Sequence, residues 1–277
     1  TRLVLDGVDV SGPDARLHVT AGPVSGSTVS STEDDVQTLQ KTVKLGEVAY
    51  DLEARAPEGQ GAGSVSGRLV DVESTSRSAQ AVGGGATLRT EVTHGGGSMD
   101  FAVSQQGRIS TGATRSAAGN LVATVSPDAA EVVAGARDLA VKLNSGGLPA
   151  PVDLTLDRME TTAQAKRPQP KGAKAVDLTL DATSGEAQIA ANGAMMVARG
   201  PGGAELESGL FDVALGGIDG LVTLLGDLTG NRGAGAEIRT RMMLGMMAGP
   251  GSTGDTLRMQ VELGADGGLK INGQRFR

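Results

Sequence analysis

The chain of 277 residues contains no cysteine and no tryptophan, one tyrosine (Tyr50) and three phenylalanines (Phe101, Phe211, Phe276). The lack of cysteine excludes disulfides, thiolate catalysis and cysteine-based metal sites together. With aromatics at 1% of the chain, any core must be assembled from Val, Leu, Ala, Ile and Met, which build thin layers. The same scarcity argues against a transmembrane barrel, which wants girdles of Tyr, Trp and Phe at both interfaces. No apolar run approaches the ~20 residues of a spanning helix. Positive charge is also short: the net charge is −7, which opposes the phosphate neutralisation that nucleic-acid binding rests on, so no nucleic-acid partner is expected. What the chain has in quantity is glycine, 43 residues, implying many turns and bulges and an elongated or flattened sheet.

Alternation of apolar and polar residues dominates the first two hundred or so positions. Leu3, Leu5, Val8, Val10, Leu17 and Val19 keep period two around a turn at Ser11-Gly12-Pro13-Asp14. An acidic tip (Glu33, Asp34, Asp35) precedes Leu39, Lys41, Val43 and Leu45, which lead into Val48, Tyr50 and Leu52. Strands are the reading there, with a helix over Val36–Leu45 as the competitor. Glycines dominate Ala56–Gly67, and the triplets Gly83-Gly84-Gly85 and Gly95-Gly96-Gly97 read as hinges or loose turns. Met99–Val103, Arg108-Ile109 and Leu121–Val125 read as short strands of an antiparallel meander. Ser126–Leu143 is ambiguous, since Ser126-Pro127-Asp128 resembles a helix start, but Leu139, Val141 and Leu143 alternate and favour strands.

One internal repeat stands out. Val152-Asp-Leu-Thr-Leu-Asp157 recurs as Val176-Asp-Leu-Thr-Leu-Asp181 around a basic, proline-containing segment from Lys166 to Lys174. In each copy Val and both Leu share one side while Asp and Thr share the other, so the copies fit paired strands with one wet face. The basic segment reads as a solvated linker, dividing the chain into a β-repeat part over 1–165, a linker over 166–175 and a final part over 176–277; a single elongated domain is the simpler description.

Two helices come next. Leu221, Leu224, Leu225 and Leu228 fall at helical spacing after Gly217. A second helix is expected from about Ala236 to Ala248, with Ile238, Met242 and Met246 on one face and Met243 and Met247 beside them, stopped by Gly249-Pro250-Gly251. A hairpin follows, in which Leu257, Met259, Val261 and Leu263 turn at Ala265-Asp266-Gly267-Gly268 into Leu269 and Ile271. The fold expected is therefore mainly β: an elongated, twisted antiparallel sheet or meander with two C-terminal amphipathic helices and a final β-hairpin.

Chemistry-bearing patterns are missing. His18 and His94 have no partner at ligand spacing, and no nucleophile elbow, phosphate loop or H-E-x-x-H motif occurs. Gly59, Gly61 and Gly63 miss the dinucleotide spacing. Asp153/Asp157 and Asp177/Asp181 read as a solvated sheet face in preference to a cation site. No catalytic residue, metal or cofactor is expected. The methionines are the one feature above background: their flexible, polarisable side chains either fill gaps beneath the helices or offer an adaptable apolar surface.

Gly217-Ile-Asp-Gly-Leu221, Arg241-Met-Met-Leu-Gly-Met-Met-Ala-Gly-Pro250-Gly, Gly254-Asp-Thr-Leu257 and Asn272-Gly-Gln-Arg275 resemble the C-terminal end of an alphaproteobacterial family catalogued as domain of unknown function 2125. The resemblance covers about the last sixty residues, with a shortened middle between Leu156 and Leu210. It implies an exported, periplasmic protein without an assigned activity. The opening Thr1-Arg2-Leu3 fits a chain whose leading segment has been removed or omitted. The function expected is a non-catalytic envelope protein that binds a lipid, another apolar ligand or an envelope protein through Leu221, Leu224, Leu225, Leu228, Ile238, Met242, Met243, Met246 and Met247. The alternatives are a structural or adhesive β-solenoid and, more weakly, a carboxylate-based hydrolase.

Overall fold

A computed structural model of the chain describes residues 3–11, 15–33, 35–55, 61–81, 84–105, 108–145, 151–166, 174–200, 203–229, 233–265 and 268–276. The expected turn at 12–14, the glycines at 59 and 83, the basic residues 167–173 and the hairpin tip at 266–267 lie outside the described residues.

The strands are β1 (Leu3–Ser11), β2 (Ala15–Glu33), β3 (Val36–Arg55), β4 (Gly61–Ala81), β5 (Ala86–His94), β6 (Gly96–Gln105), β7 (Arg108–Ser116), β8 (Ala118–Val125), β9 (Ala129–Ser145), β10 (Val152–Lys166), β11 (Lys174–Ser184), β12 (Ala187–Gly200) and β13 (Gly203–Gly216). Helices α1 (Ile218–Thr229) and α2 (Ala234–Met247) come next, and β14 (Thr256–Gly264), β15 (Leu269–Ile271) and β16 (Gln274–Phe276) complete a single sheet. The chain is thus mainly β, antiparallel throughout, with two helices near its C-terminus and a closing hairpin. Period-two alternation prevails over Val36–Leu45 and over most of Ser126–Leu143, both of which are strand.

Neighbours in the sheet are neighbours in sequence once β5 with β6, and β7 with β8, are seen as two halves of the same long strands. Thr93 pairs with Glu73 and Gly96 with Val70, so β5 and β6 run along successive stretches of β4. Likewise β7 and β8 both pair with β9, through Arg115↔Ala140 and Ala118↔Arg137. The sheet is an up-and-down meander, which differs from the stacked coils of a solenoid. Its strand order spans 14 positions, about 60 Å across at ~4.8 Å per strand.

A line of irregular positions crosses the long strands. Gly46, Asp71 and Gly95 drop out of the ladder side by side, and Ala117 and Asp138 continue the line. Asp71 and Asp138 hold left-handed backbone (φ 51° and 48°), a conformation that Asp tolerates better than most side chains. The alternation changes phase at this line: Leu45 is followed by Val48, Leu69 by Val72, and Ala136 by Leu139, each three residues on. Three residues of regular strand would reverse the face. Here the kink cancels the reversal, because the His94 ring lies over both Gly97 and Gly119, on opposite sides of the line. Most of the aliphatic residues therefore stay on one face of the sheet along its length, with Val29, Val70, Ile109, Val122 and Leu210 among the exceptions on the other face.

The repeat copies are not paired with each other, contrary to the reading from sequence. Val152–Leu156 lies against Leu139–Leu143 of β9, while Asp177–Asp181 lies against Glu160–Gln164 of β10. The reason is geometric: in an antiparallel hairpin the residues flanking the connection face each other, and the first copy sits at the far end of β10.

Beneath the helices Ala187, Leu221, Val222, Leu244 and Leu257 form the buried core, with Ile189, Leu215, Ile218, Leu224 and Leu225 packed against it. Among the described residues ten apolar side chains are buried, and only Val72 precedes Leu156 in sequence. The accessible surface is 17530 Å², against about 11,000 Å² for a compact monomer of this mass.

Candidate functional site

The two faces of the sheet sort by chemistry. Cross-strand register places Leu17, Leu52, Val65, Phe101 and Leu143 in one row of the apolar face. Val92, Leu121, Ala134, Leu180, Val213 and Met259 are among its members on the other side of the kink. Lys41 is the one charged residue of this face among the described side chains; Met99, Met159 and Met195 also lie on it. Every ion pair described within the sheet falls on the opposite face, for example Lys44–Glu73 at 2.8 Å, Arg68–Glu47 at 2.7 Å and Lys142–Asp153 at 3.1 Å.

Aromatic rings on the apolar face lie over glycine. Tyr50 stands directly opposite Gly67, Phe101 opposite Gly112 and Phe211 opposite Gly193. A Cβ added at any of these glycines would collide with its ring, so glycine is needed for close approach and each ring lies flat instead of projecting. His94 over Gly119 repeats the arrangement, and its Nδ1 is buried without a hydrogen-bond partner.

Among the described residues, the apolar face is covered only at one end. The helices' main contacts are with β10, β12, β13 and β14. Over β1–β9 the face stays open: Leu88 is 47% exposed, Leu121 44% and Val132 41%.

The helical residues singled out by sequence divide into two groups. Leu221 is buried, and Leu224 and Leu225 pack on the core beside it. Leu228 lies on α1, with its side chain outside the described residues. On α2 the buried anchor is Leu244, which spacing alone did not single out. Ile238, Met242 and Met246 form an outward stripe, 58%, 66% and 80% exposed, so they do not plug a gap; Met243 is exposed as well and Met247 is half-buried. Arg241 of α2 hydrogen-bonds Asp219 of α1 and ties the helices together.

The polar face carries the sequence's carboxylates and a concavity of about 780 Å³ lined in part by Asp181, Asp212 and Arg258. Register separates Asp181 and Asp212 by two strands and one row, about 11 Å along the sheet, beyond the spacing of a hydrolytic carboxylate pair. Asp181 instead faces Glu160 directly, and Arg158 hydrogen-bonds Glu160 at 2.7 Å. The Glu160 carboxylate, with Asp181 behind it, raises the guanidinium pKa further above its ordinary value. Asp157 accepts a hydrogen bond from the Gly185 N–H, Asp153 pairs with Lys142, and His18 with Asp9. Among the described residues no group of three or more His, Asp or Glu is placed to hold a metal ion, and no helix is long and apolar enough to cross a membrane.

Compared with family models, curated proteins and solved structures, the chain matches none.

Proposed function

We propose that this is a non-catalytic lipid-binding scaffold of the cell envelope, and that acyl chains lie on the open apolar face of β1–β9. One observation carries the reading: a sheet with one apolar face needs a second layer, and along β1–β9 the described residues supply none. Acyl chains suit the vacancy. Among the described side chains the face has a single charged one, its rings lie flat, and its methionines adapt to varied apolar shapes. The resemblance of the C-terminal residues supports a periplasmic address, where lipids must cross an aqueous space. The exposed stripe Ile238, Met242 and Met246 on α2 offers a second, smaller contact for the same class of ligand or for an envelope protein.

Native mass spectrometry of protein purified gently from a bacterial envelope tests this. The expected result is co-purifying phospholipid or fatty acid. The double variant Leu121→Asp/Val132→Asp, on the open face, should lose that lipid while keeping its strand signal by circular dichroism. Lipid-free wild-type protein, or lipid retained by the double variant, contradicts the proposal.

A further inference from the structure

The one described cation of the apolar face stands without a partner. Lys41 shares its side of β3 with Leu39 and Val43, and among the described residues it makes no hydrogen bond or ion pair. Lys44, three residues on and facing the other way, has Glu73 at 2.8 Å. Cross-strand register sets Lys41 in a row with Thr28 of β2, Ser76 of β4 and Thr90 of β5, and period two adds Ser74 and Ser78 on β4 to either side. The Ser76 and Thr90 hydroxyls hydrogen-bond each other at 3.0 Å, which uses one of their two protons and leaves the other to donate elsewhere. These side chains form a polar island that spans four strands, about 14 Å, and holds one positive charge, several hydroxyls and no described carboxylate. Toward the kink the face turns aliphatic again, with Val43 and Leu45 on β3, Val72 on β4, Val92 on β5 and Leu121 on β8.

Hydrocarbon laid over this face takes the Lys41 ammonium out of water, and an ammonium covered in that way is costly unless an anion arrives with it. We propose that the ligand of the open face is an acyl lipid with an oxyanion at its head, a phosphate or a carboxylate, which Lys41 and the Ser76 and Thr90 hydroxyls bind. The acyl chains then run from the island toward the kink, over Val43, Val92 and Leu121. This rests on the reading of the face as a lipid site, to which it adds a ligand class and an orientation. The donors suit the head: lysine is a point charge that meets either oxyanion without demanding a planar fork, and hydroxyls complete its hydrogen bonds. An uncharged lipid of the same chains leaves the ammonium buried and unpaired, so the island selects for charge where the aliphatic surface cannot.

Competition between lipids that differ only in the head provides the test. The protein is incubated with equimolar dioleoylphosphatidylglycerol and dioleoylglycerol, and in a second arm with equimolar oleate and oleyl alcohol; it is then separated by gel filtration, and the bound lipid is extracted and quantified. Wild type is expected to retain the anionic member of at least one pair in roughly tenfold excess or more, as a hydrogen bond to a charged group in an apolar setting implies. The arm that shows the excess tells phosphate from carboxylate. Lys41→Gln should bring the ratio close to one while the total bound lipid is kept, Lys41→Arg should preserve the preference, and Lys41→Glu should reverse it. Lys41 is exposed, and circular dichroism checks that each variant is folded. Equal retention of both members in both arms by wild type, or a preference that survives Lys41→Gln, overturns the head-group assignment and leaves the lipid reading standing. Retention of no lipid in either arm overturns both.

Discussion

Strands β10–β14 and strands β1–β9 share one alternation of aliphatic and polar residues, but only the first set has helices laid across it. Beneath those helices Leu221, Val222, Leu244 and Leu257 are nearly inaccessible, whereas Leu88, Leu121 and Val132 remain more than 40% exposed on the same face. Alternation specifies that a strand has an apolar side; it says nothing about what covers that side. The comparison separates stability from availability: the covered end holds the fold together, and the open end is free to act.

The contrast is broken most forcefully at the covered end. Leu244→Ala removes the one buried residue of α2 and is expected to cost about 3 kcal/mol, while Leu88→Ala on the open face costs under about 1 kcal/mol; urea unfolding of the two variants measures both. The next largest effect concerns the flat rings. Gly112→Val drives a side chain into the Phe101 ring and the Lys142 carbonyl, and is expected to cost about 2 kcal/mol, whereas Gly235→Ala, in helix α2 with nothing near, should be neutral or slightly stabilising. At the kink, Asp71→Val places a branched side chain in left-handed backbone at about 1–2 kcal/mol, whereas Asp71→Gly should be neutral or slightly stabilising. The smallest effect is on the polar face: Lys44→Gln, which breaks the exposed pair with Glu73, is expected to change stability by less than about 0.5 kcal/mol, with that change vanishing at high salt.

Much of the fold was legible because strand signals are local. Leu39, Lys41, Val43 and Leu45 settle β3 against a helix, and Leu221, Leu224 and Leu225 settle α1. The kink line was written in the sequence as the three-residue step from Leu45 to Val48 and from Ala136 to Leu139, but a phase change looks the same whether the chain ends a strand or bends within it. Pairing was harder still. The identical runs at Val152 and Val176 suggested partners, while the register depends on hairpin position and puts them on different neighbours. On α2 the apolar residues outnumber the positions that one helix face can bury, so composition drew attention to the methionines when Leu244 is the residue that anchors the helix. The open face was invisible for a physical reason: no residue encodes the absence of a covering layer.

The chain supplies its own probe of that face. Tyr50 is the sole tyrosine, there is no tryptophan, and the ring lies on the apolar side of β3 over Gly67. Titrating the protein with phospholipid brominated in its acyl chains, and following tyrosine fluorescence, reports directly whether hydrocarbon reaches the sheet. The account predicts quenching by brominated lipid, none by the unbrominated lipid, and loss of quenching in the Leu121→Asp/Val132→Asp variant. Tyrosine emission indifferent to bromine would contradict it.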